Sequence, residues 1–413
     1  MISLIKHITC LAGVQDPTEP LRGNALSYFP TIRNAYLKIQ NGSILSFGEM
    51  SSLDPSHEGI GQIIDATGQF ILPAWCDSHT HMVFTSYREE EFVDKINGLS
   101  YADIAAKGGG ILNSALKLQT CSEQELFDLA WQRLQSAIRL GTGAMEIKSG
   151  YGLTVESELK MLRVIRQLKE KSPIPIKASF LGAHAYPIEY RNDHDAYIRS
   201  ILEVILPVIA DQGLADYIDV FCESGFFNPF ETDRLLKAGA TYGLIPKIHA
   251  NQLGVSGGVE VGVANAARSV DHLEFLDDAS IQCLSESSTI GTLLPACALF
   301  LRSPYPPARK LIESGAAIAI ASDYNPGSSP CYNMNLVVAL ACSQMRMLPE
   351  EAINAATIQG AFAMDLHREV GSIAIGKKAN LIFTKPISSL AYLPYSFGEN
   401  LIERVMINGE FYS

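Results

Sequence analysis

The 413-residue sequence lacks the features that mark membrane, secreted or nucleic-acid-binding proteins. No uninterrupted apolar run approaches the roughly 18–20 residues that a transmembrane helix needs. The N-terminus has no basic segment followed by an apolar core and a cleavage site, so we expect a cytoplasmic protein. Basic residues are in deficit, with 32 Lys and Arg against 44 Asp and Glu. The formal charge of −12 disfavours nucleic acid or an anionic membrane as a partner, although a local cationic pocket can still exist.

Several short motifs are also missing. The eight cysteines are scattered without a C-x-x-C pair, which indicates reduced core thiols and not a disulfide framework. No G-x-G-x-x-G follows the first strand of the central region, and this disfavours a dinucleotide-binding sheet. The glycines at 108–110 do not form a phosphate-binding loop, because no Gly-Lys-Ser/Thr follows at the required spacing. A hydrophobic content of 47% with 18% charged residues predicts a large buried core.

Both ends of the chain carry short strand patterns separated by glycine turns. Residues 36–39 alternate before the turn at 41–42, and residues 44–48 follow it. Near the C-terminus, residues 405–407 precede a similar turn at 408–409. These patterns predict a small β-sandwich domain built from residues 1–70 plus 371–413.

Between the termini, apolar strand patterns alternate with amphipathic helix patterns. Ser122 and Glu125 form a capping-box pattern that begins a helix, and Gly141 ends it. The strand patterns lie at residues 71–78, 144–148, 176–181, 217–221, 245–248, 269–271, 289–294 and 316–321. Eight such units predict an α/β fold, a (β/α)8 TIM-like barrel over residues 71–370, with the active site at the C-terminal strand ends. A doubly wound open sheet is the competing fold.

The first of these runs ends in His79-Thr80-His81. On a strand, side chains two residues apart point to the same face, so both imidazoles converge on one point. Two neutral imidazoles can begin a metal site, with bonds of roughly 2.0–2.1 Å if the ion is zinc. For the motif alone, a hydrogen-bonded pair of histidines is the more frequent alternative.

Other polar residues follow the remaining predicted strands. Of the nine histidines, five fall at predicted strand ends: His79, His81, His184, His249 and His272. Lys148 follows the second strand, Glu223 the fourth and Asp323 the eighth. Five histidines on one rim of a barrel are difficult to explain by packing, so a functional site is expected there. The other four are expected to be ordinary surface or core residues: His7, His57, His194 and His367.

This arrangement resembles the mononuclear metal-dependent amidohydrolase superfamily. The residues that carry the resemblance are His79 and His81 after the first strand, His249 after the fifth, His272 after the sixth and Asp323 after the eighth. Longer blocks resemble one branch of the superfamily, at residues 77–84, 107–111, 146–153, 182–185 and 322–330. The resemblance extends from about residue 30 to the C-terminus.

The resemblance implies opening of the ring of 4-imidazolone-5-propanoate by water, giving N-formimidoyl-L-glutamate in histidine degradation. It implies one divalent ion, zinc or iron, held by His79, His81, His249 and Asp323. A bound divalent metal lowers the pKa of water to about 7, which suits attack on a cyclic amide. Asp323 would carry the proton to the leaving nitrogen, and His272 would orient the water or stabilise the oxyanion. On its own, Asp323 fits a helix N-cap equally well.

The resemblance also implies the substrate contacts. Arg88 matches the arginine that binds the propanoate bidentately, although it also fits a solvent-exposed partner of the acidic residues 89–91. The remaining implied contacts are Tyr151, His184, Asn325, Gly327 and Ser328, together with Tyr101.

Gln252 departs from part of the pattern, since deaminases and some ring-opening members carry glutamate three residues after the fifth-strand histidine. A glutamine cannot transfer a proton, which argues against a deaminase and puts a glutamate-dependent route in doubt. Its amide still fits an imidazolone ring, so we retain it as a substrate contact.

No lysine ends the fourth strand, where two-metal relatives carry a carbamylated one, so one ion is expected and Glu223 is placed outside its coordination.

Two alternatives stay open. One is a hydrolase or deaminase that acts on another cyclic amide or a nucleobase. The other is a non-catalytic amidohydrolase-like scaffold, although such proteins commonly lose metal ligands and all four are here. A small-molecule substrate is the expected partner, and the resemblance adds a homodimer as an expectation.

Overall fold

The structure is a computed structural model that describes residues 2–54, 56, 59–99 and 109–413. Among the residues singled out above, His57, Tyr101 and Gly108 lie outside the described part. The strands form two sheets, one of which is a parallel barrel. The other is a mixed sheet to which both ends of the chain contribute.

The strands are β1 (Ile2–Ala12), β2 (Thr31–Gln40), β3 (Ser43–Glu49), β4 (Ile60–Asp65), β5 (Phe70–Pro73), β6 (Trp75–Asp77), β7 (Thr142–Lys148), β8 (Ile176–Ala183), β9 (Tyr217–Cys222), β10 (Ile245–Pro246), β11 (Ile248–Ala250), β12 (Ser269–His272), β13 (Ile290–Leu293), β14 (Ile318–Ile320), β15 (Leu381–Thr384), β16 (Ile402–Ile407) and β17 (Glu410–Tyr412).

The α-helices in the described residues are α1 (Glu89–Ile96), α2 (Gly110–Thr120), α3 (Glu123–Arg139), α4 (Val155–Lys171), α5 (His194–Ser200), α6 (Leu206–Gln212), α7 (Pro229–Thr241), α8 (Gly258–Ala264), α9 (Asp278–Ser285), α10 (Pro295–Leu301), α11 (Ala308–Glu313), α12 (Met334–Met345), α13 (Pro349–Ala356), α14 (Ile358–Ala363) and α15 (Tyr392–Tyr395).

The mixed sheet has the order β17-β16-β15-β5-β1-β2-β3, and β4 pairs with β1. The predicted hairpin is β2–β3, which pair antiparallel across the turn at Asn41-Gly42. Alternate strand residues such as Ile5, Leu37 and Phe383 are buried in a separate apolar cluster. Strands from the two ends of the chain therefore share one core, as the sequence predicts.

The barrel contains the eight predicted strand regions in the order β6-β7-β8-β9-β11-β12-β13-β14, with parallel pairing throughout. Its first and last strands meet just beyond their C-terminal ends, where Thr80 and Tyr324 form a parallel bridge. Backbone hydrogen bonds from Asp323 N to His79 O (3.0 Å) and from His81 N to Tyr324 O (2.8 Å) fasten this closure. The structure confirms a (β/α)8 barrel, and the open-sheet alternative is wrong.

The run at residues 71–78 is not one strand, so that part of the prediction is wrong. Its first half belongs to β5 in the mixed sheet and its second half to β6 in the barrel. The change falls at Ala74, whose N–H donates to Asn380 O, whereas the N–H of Trp75 donates to Gly141 O. The backbone partners of Ala74 and Trp75 lie 306 and 66 residues away in the sequence, and these partners decide which sheet each half of the run joins.

Local capping explains several helix starts near the barrel. The Ser122 hydroxyl accepts a hydrogen bond from Glu125 N at 3.2 Å, as the capping pattern predicts. A full capping box joins Asn228 and Glu231, with Pro229 in the first turn. Across the described stretches, no helix combines the length and apolarity needed to cross a bilayer.

Candidate metal centre and active site

Three histidines and one aspartate converge at the C-terminal rim of the barrel. His79 and His81 follow β6, His249 lies in β11, and Asp323 follows β14. Each of the four side chains is almost fully buried. The period of two along the first strand does bring His79 and His81 together, with their Nε2 atoms 3.2 Å apart.

The spacing of the donor atoms matches a single metal ion. His81 Nε2 lies 3.4 Å from His249 Nε2, and Asp323 Oδ1 lies 3.4 Å from His79 Nε2 and 3.6 Å from His81 Nε2. Donors that sit roughly 2.0–2.1 Å from one tetrahedral zinc ion are separated from each other by about 3.4 Å. His79, His81 and Asp323 therefore form one group that could hold a metal ion, and His249 Nε2 lies at a matching distance from His81 Nε2.

The outer ring nitrogens determine which atoms face inward. His79 Nδ1 hydrogen-bonds Asp271 Oδ2 at 2.6 Å, and His249 Nδ1 hydrogen-bonds Asp219 Oδ1 at 2.9 Å. Burial is the main cause that lowers the pKa of both imidazoles well below the usual value, so both rings are neutral. A neutral ring that donates from Nδ1 has its lone pair on Nε2. The Nε2 lone pairs of His79 and His249 therefore point into the space where a cation fits.

His272 also lies in this group, together with Cys297. Their donor atoms and one oxygen of Asp323 lie within 4.8 Å of one another, and His272 makes a similar set with His79 and His249. Burial alone would lower the pKa of His272, but Glu274, whose Oε1 lies 3.3 Å from Nδ1, raises it to about 9. Burial raises the pKa of Asp323 to about 6, against the opposing effect of His272.

Left-handed backbone accompanies these positions. Asn251 has φ +58°, His272 +89°, Leu273 +67° and Asp323 +52°. Non-glycine residues in such conformations cost on the order of 1–3 kcal/mol each and persist only where the surrounding structure imposes them. Two of the four, His272 and Asp323, are candidate catalytic residues, so this strain lies at the functional rim.

A cavity of about 430 Å³ opens beside the donors. Of the eight residues predicted to contact substrate, Tyr101 lies outside the described residues and the other seven line the cavity: Arg88, Tyr151, His184, Gln252, Asn325, Gly327 and Ser328. The sequence interpretation missed Glu91 and Lys95, which line the same cavity. Arg88, Glu91 and Lys95 are spaced by three and four, which is one face of a helix, and this spacing could have found them.

Arg88 presents part of its guanidinium to the cavity. Its Nε donates to Ser114 Oγ at 2.9 Å, whereas the buried Nη2 has no hydrogen-bond partner among the described residues. A Cβ at Gly327 would lie 2.4 Å from Arg88 Nη1, so the absence of a side chain there lets the guanidinium approach the backbone. Unsatisfied buried donors are rare, which makes this nitrogen a candidate anion contact.

The turn after β14 has a structural role for Asn325 that the sequence did not show. Its amide donates to Asp323 O at 2.7 Å and accepts from Ser328 N at 2.7 Å. The next helix begins only at Met334, so the N-cap alternative for Asp323 is wrong.

Glu223 Oε1 accepts from Gln252 N at 2.6 Å and thereby fixes the backbone after β11.

Sequence reasoning also missed a buried charge cluster beneath the histidines. Its five members are Glu146, Lys148, Asp219, Lys247 and Asp271, each fully or almost fully buried. Burial by itself lowers the pKa of Lys148, but the nearby carboxylates, Asp219 first, raise it above its usual value. The only available signal was a set of charged residues inside otherwise apolar strand patterns, which does not say how they pair.

Comparison with known proteins identifies the class. The model of the amidohydrolase family matches residues 70–411, and the chain belongs to that family. An imidazolonepropionase of Flavobacterium johnsoniae is 54% identical over 411 residues, covering 99% of this chain and 100% of the relative. Imidazolonepropionases of Shewanella frigidimarina and a Geobacillus species are 41% and 38% identical, covering 94% and 98% of this chain and 94% and 95% of the relatives. Within the amidohydrolases, the chain belongs with the imidazolonepropionases.

Solved structures support the fold alone, because their sequence identity is low. A triazine hydrolase variant has a TM-score of 0.74 at 15% identity, covering 99% of this chain and 94% of its own. Guanine deaminase from E. coli has a TM-score of 0.73 at 14% identity, covering 100% of this chain and 99% of its own. A zinc-bound adenosine deaminase from Xanthomonas campestris has a TM-score of 0.71 at 15% identity, covering 99% and 92%.

The donor geometry generates a prediction about metal content. His79→Ala removes a donor that lies within 3.5 Å of both His81 Nε2 and Asp323 Oδ1, so we expect the purified variant to lose most of its bound metal. His367→Ala is the control, because His367 stacks on Phe362 outside this group of donors. Elemental analysis of both variants and the unmodified protein checks the expectation. Equal metal content in all three would show that His79 is not a ligand.

Proposed function

We propose that this chain hydrolyses 4-imidazolone-5-propanoate to N-formimidoyl-L-glutamate with one divalent ion. The observation that carries the proposal is the convergence of His79, His81, His249 and Asp323 beside a cavity in which Arg88 Nη2 has no partner among the described residues. Membership of the imidazolonepropionases supports the substrate. Cleavage of a cyclic amide also agrees with the metal-dependent hydrolysis of the amidohydrolase family.

In this proposal, His79, His81, His249 and Asp323 hold the ion. Three imidazole nitrogens and one carboxylate suit zinc or iron, and such a site can keep a position for water. A bound divalent ion supplies Lewis acidity, which lowers the pKa of water to about 7 and polarises a carbonyl.

Asp323 and His272 handle charge and protons in the proposed reaction. The oxygen of water bonds to the ring carbonyl carbon, the adjacent C–N bond breaks, and a proton from the water goes to the leaving nitrogen. A carboxyl whose pKa lies near 6 is ionised at neutral pH and is basic enough to accept that proton and pass it on. His272, with its pKa near 9, is protonated and can donate a hydrogen bond to the oxygen where negative charge develops.

The cavity residues orient the substrate. Arg88 pairs its Nη2, which has no partner among the described residues, with the propanoate, and its guanidinium supplies a local positive charge in an acidic chain. His184 hydrogen-bonds Gly150 O through Nδ1 at 3.0 Å, so its Nε2 is left as an acceptor for a ring N–H. Tyr151 and Gln252 add polar groups on the cavity wall, and Ser328 and Gly327 line the side nearest Arg88.

The direct test follows the ultraviolet absorbance of 4-imidazolone-5-propanoate. Metal-replete protein should consume it, protein stripped with a chelator should not, and added zinc or iron should restore the rate, because the hydroxide must form near neutral pH. Release of ammonia from cytosine or guanine, with imidazolone propanoate left unchanged, would support the deaminase alternative instead. Undamaged protein with almost no zinc or iron would favour the scaffold.

Asp323→Asn should reduce kcat by about 10²- to 10⁴-fold, because an amide cannot accept the proton that general base catalysis requires. The rate is measured on protein whose metal content has been restored and verified. Asp277→Asn is the control, since Asp277 caps α9 through Ser280 N at 2.8 Å away from the donors. If kcat of the metal-loaded Asp323→Asn variant stayed within tenfold of normal, the proton role would be wrong.

Arg88→Ala should lower kcat/KM mainly by raising KM. Losing a hydrogen bond to a charged group costs about 1.5–3 kcal/mol. This corresponds to roughly 10- to 150-fold in kcat/KM. Steady-state kinetics measure the change, and an imidazolone without the propanoate serves as the control substrate, which both proteins should process equally. A normal KM for the propanoate substrate in the variant would move the carboxylate away from Arg88.

A further inference from the structure

The buried charge cluster beneath the metal donors has no direct part in the reaction above. Lys148 Nζ lies 2.5 Å from Glu146 Oε1, 2.7 Å from Asp219 Oδ2 and 3.5 Å from Asp271 Oδ2. Lys247 donates to the other oxygen of Glu146, and Ser179 Oγ donates to Glu146 Oε1 at 2.6 Å. Five ionisable groups are thus packed together out of contact with solvent.

Stability does not explain such a cluster. Burying an ion costs several kcal/mol even after relaxation, and buried ion pairs can often be replaced by apolar residues without loss of stability. A barrel interior filled by branched apolar side chains is the ordinary alternative. The cluster therefore requires a reason connected with what its carboxylates touch.

Two of its carboxylates connect Lys148 to the donor histidines. Asp219 contacts Lys148 through Oδ2 and His249 Nδ1 through Oδ1, so one side chain bridges the two. Asp271 Oδ2 accepts from His79 Nδ1 at 2.6 Å while lying 3.5 Å from the same ammonium. His81 differs, because its Nδ1 has no hydrogen-bond partner in the described part of the chain.

We infer that Lys148 is a positioning residue for the metal centre: it holds Asp219 and Asp271 in place so that His249 and His79 present Nε2 to the ion. The inference rests on the proposed metal site and adds a residue outside the donor set. Without the ammonium, two like-charged carboxylates share the buried space and turn away from each other. Rotation of either carboxylate would also move an imidazole ring, because Asp219 is hydrogen-bonded to His249 and Asp271 to His79. Outer partners of this kind typically change metal affinity by roughly 10–100-fold.

The test measures metal affinity of the full-length protein without any substrate. Zinc is titrated against a competing chelator, and the visible spectrum of the cobalt-substituted protein reports the donor geometry. Lys148→Met should raise the Kd for zinc by about 10- to 100-fold and alter the cobalt spectrum. Thermal unfolding of the metal-free form shows that the variant is folded. Because no imidazolone is present, an incorrect substrate assignment would leave this result unaffected.

Two other buried lysines provide matched controls. Lys160 donates to the backbone oxygens of Leu118 (2.7 Å) and Cys121 (2.8 Å) and does not contact the cluster, so Lys160→Met should lower thermal stability without changing zinc affinity. Lys247 donates to Glu146, and it influences Asp219 and Asp271 only through its charge, with no hydrogen bond or ion pair to either in the described part of the chain, so Lys247→Met should change the Kd less than Lys148→Met.

An unchanged zinc Kd and cobalt spectrum in folded Lys148→Met protein would overturn the inference. An equal loss of affinity in Lys247→Met would also overturn it, since general loss of buried charge would then suffice. If Lys148→Met does not fold, Lys148→Gln is measured, and if that also fails, Asp219→Asn takes its place. In either replacement, at least tenfold weaker zinc binding supports the inference and native affinity contradicts it.

Discussion

The central feature of the structure is a set of imidazole nitrogens that lie close together in one small buried space. The Nε2 atoms of His79, His81 and His249 lie 3.2–3.4 Å apart in consecutive pairs, and Asp323 adds a carboxylate oxygen at 3.4–3.6 Å. His79 and His249 both direct Nε2 lone pairs inward, and a single proton on His81 Nε2 can satisfy only one of them. A divalent ion would satisfy these lone pairs together, which agrees with the metal-dependent chemistry of the amidohydrolase family.

The barrel makes this unfavourable arrangement rigid. The donors come from the first, fifth and eighth strand positions, and the bridge between Thr80 and Tyr324 closes the ring at the level of the donors. Left-handed backbone at His272 and Asp323 adds strain at the same rim. The barrel strands are buried along their whole length, and the apolar residues packed around them supply the stability that tolerates these costs. The C-terminal ends of the barrel strands thus carry the candidate site, whereas the rest of each strand contributes mainly to stability.

The sequence predicted the parts of this site that follow from local periodicity. A strand period of two places His79 beside His81, and the strand count places His249 and Asp323 on the same rim. It could not predict that the apolar run at residues 71–78 divides between two sheets, because the deciding hydrogen bonds come from Asn380 and Gly141. For the same reason, it could not show that Asp219 and Asp271 meet Lys148, since that contact requires β7, β9 and β12, which are not neighbours in the sheet, to be brought together by closure of the barrel.

Position 252 limits which residues can transfer protons in the proposed reaction. Glu223 fixes the backbone of Gln252, so the amide of Gln252 lies on the cavity wall with Nε2 3.6 Å from Cys297 Sγ. An amide offers hydrogen bonds but no titratable proton, so in the proposed reaction acid–base work falls to Asp323 and His272. Burial raises the pKa of Asp323 to about 6, while Glu274 overcomes burial and raises that of His272 to about 9. These opposite shifts suit Asp323 to accept a proton and His272 to donate a hydrogen bond in the proposed reaction.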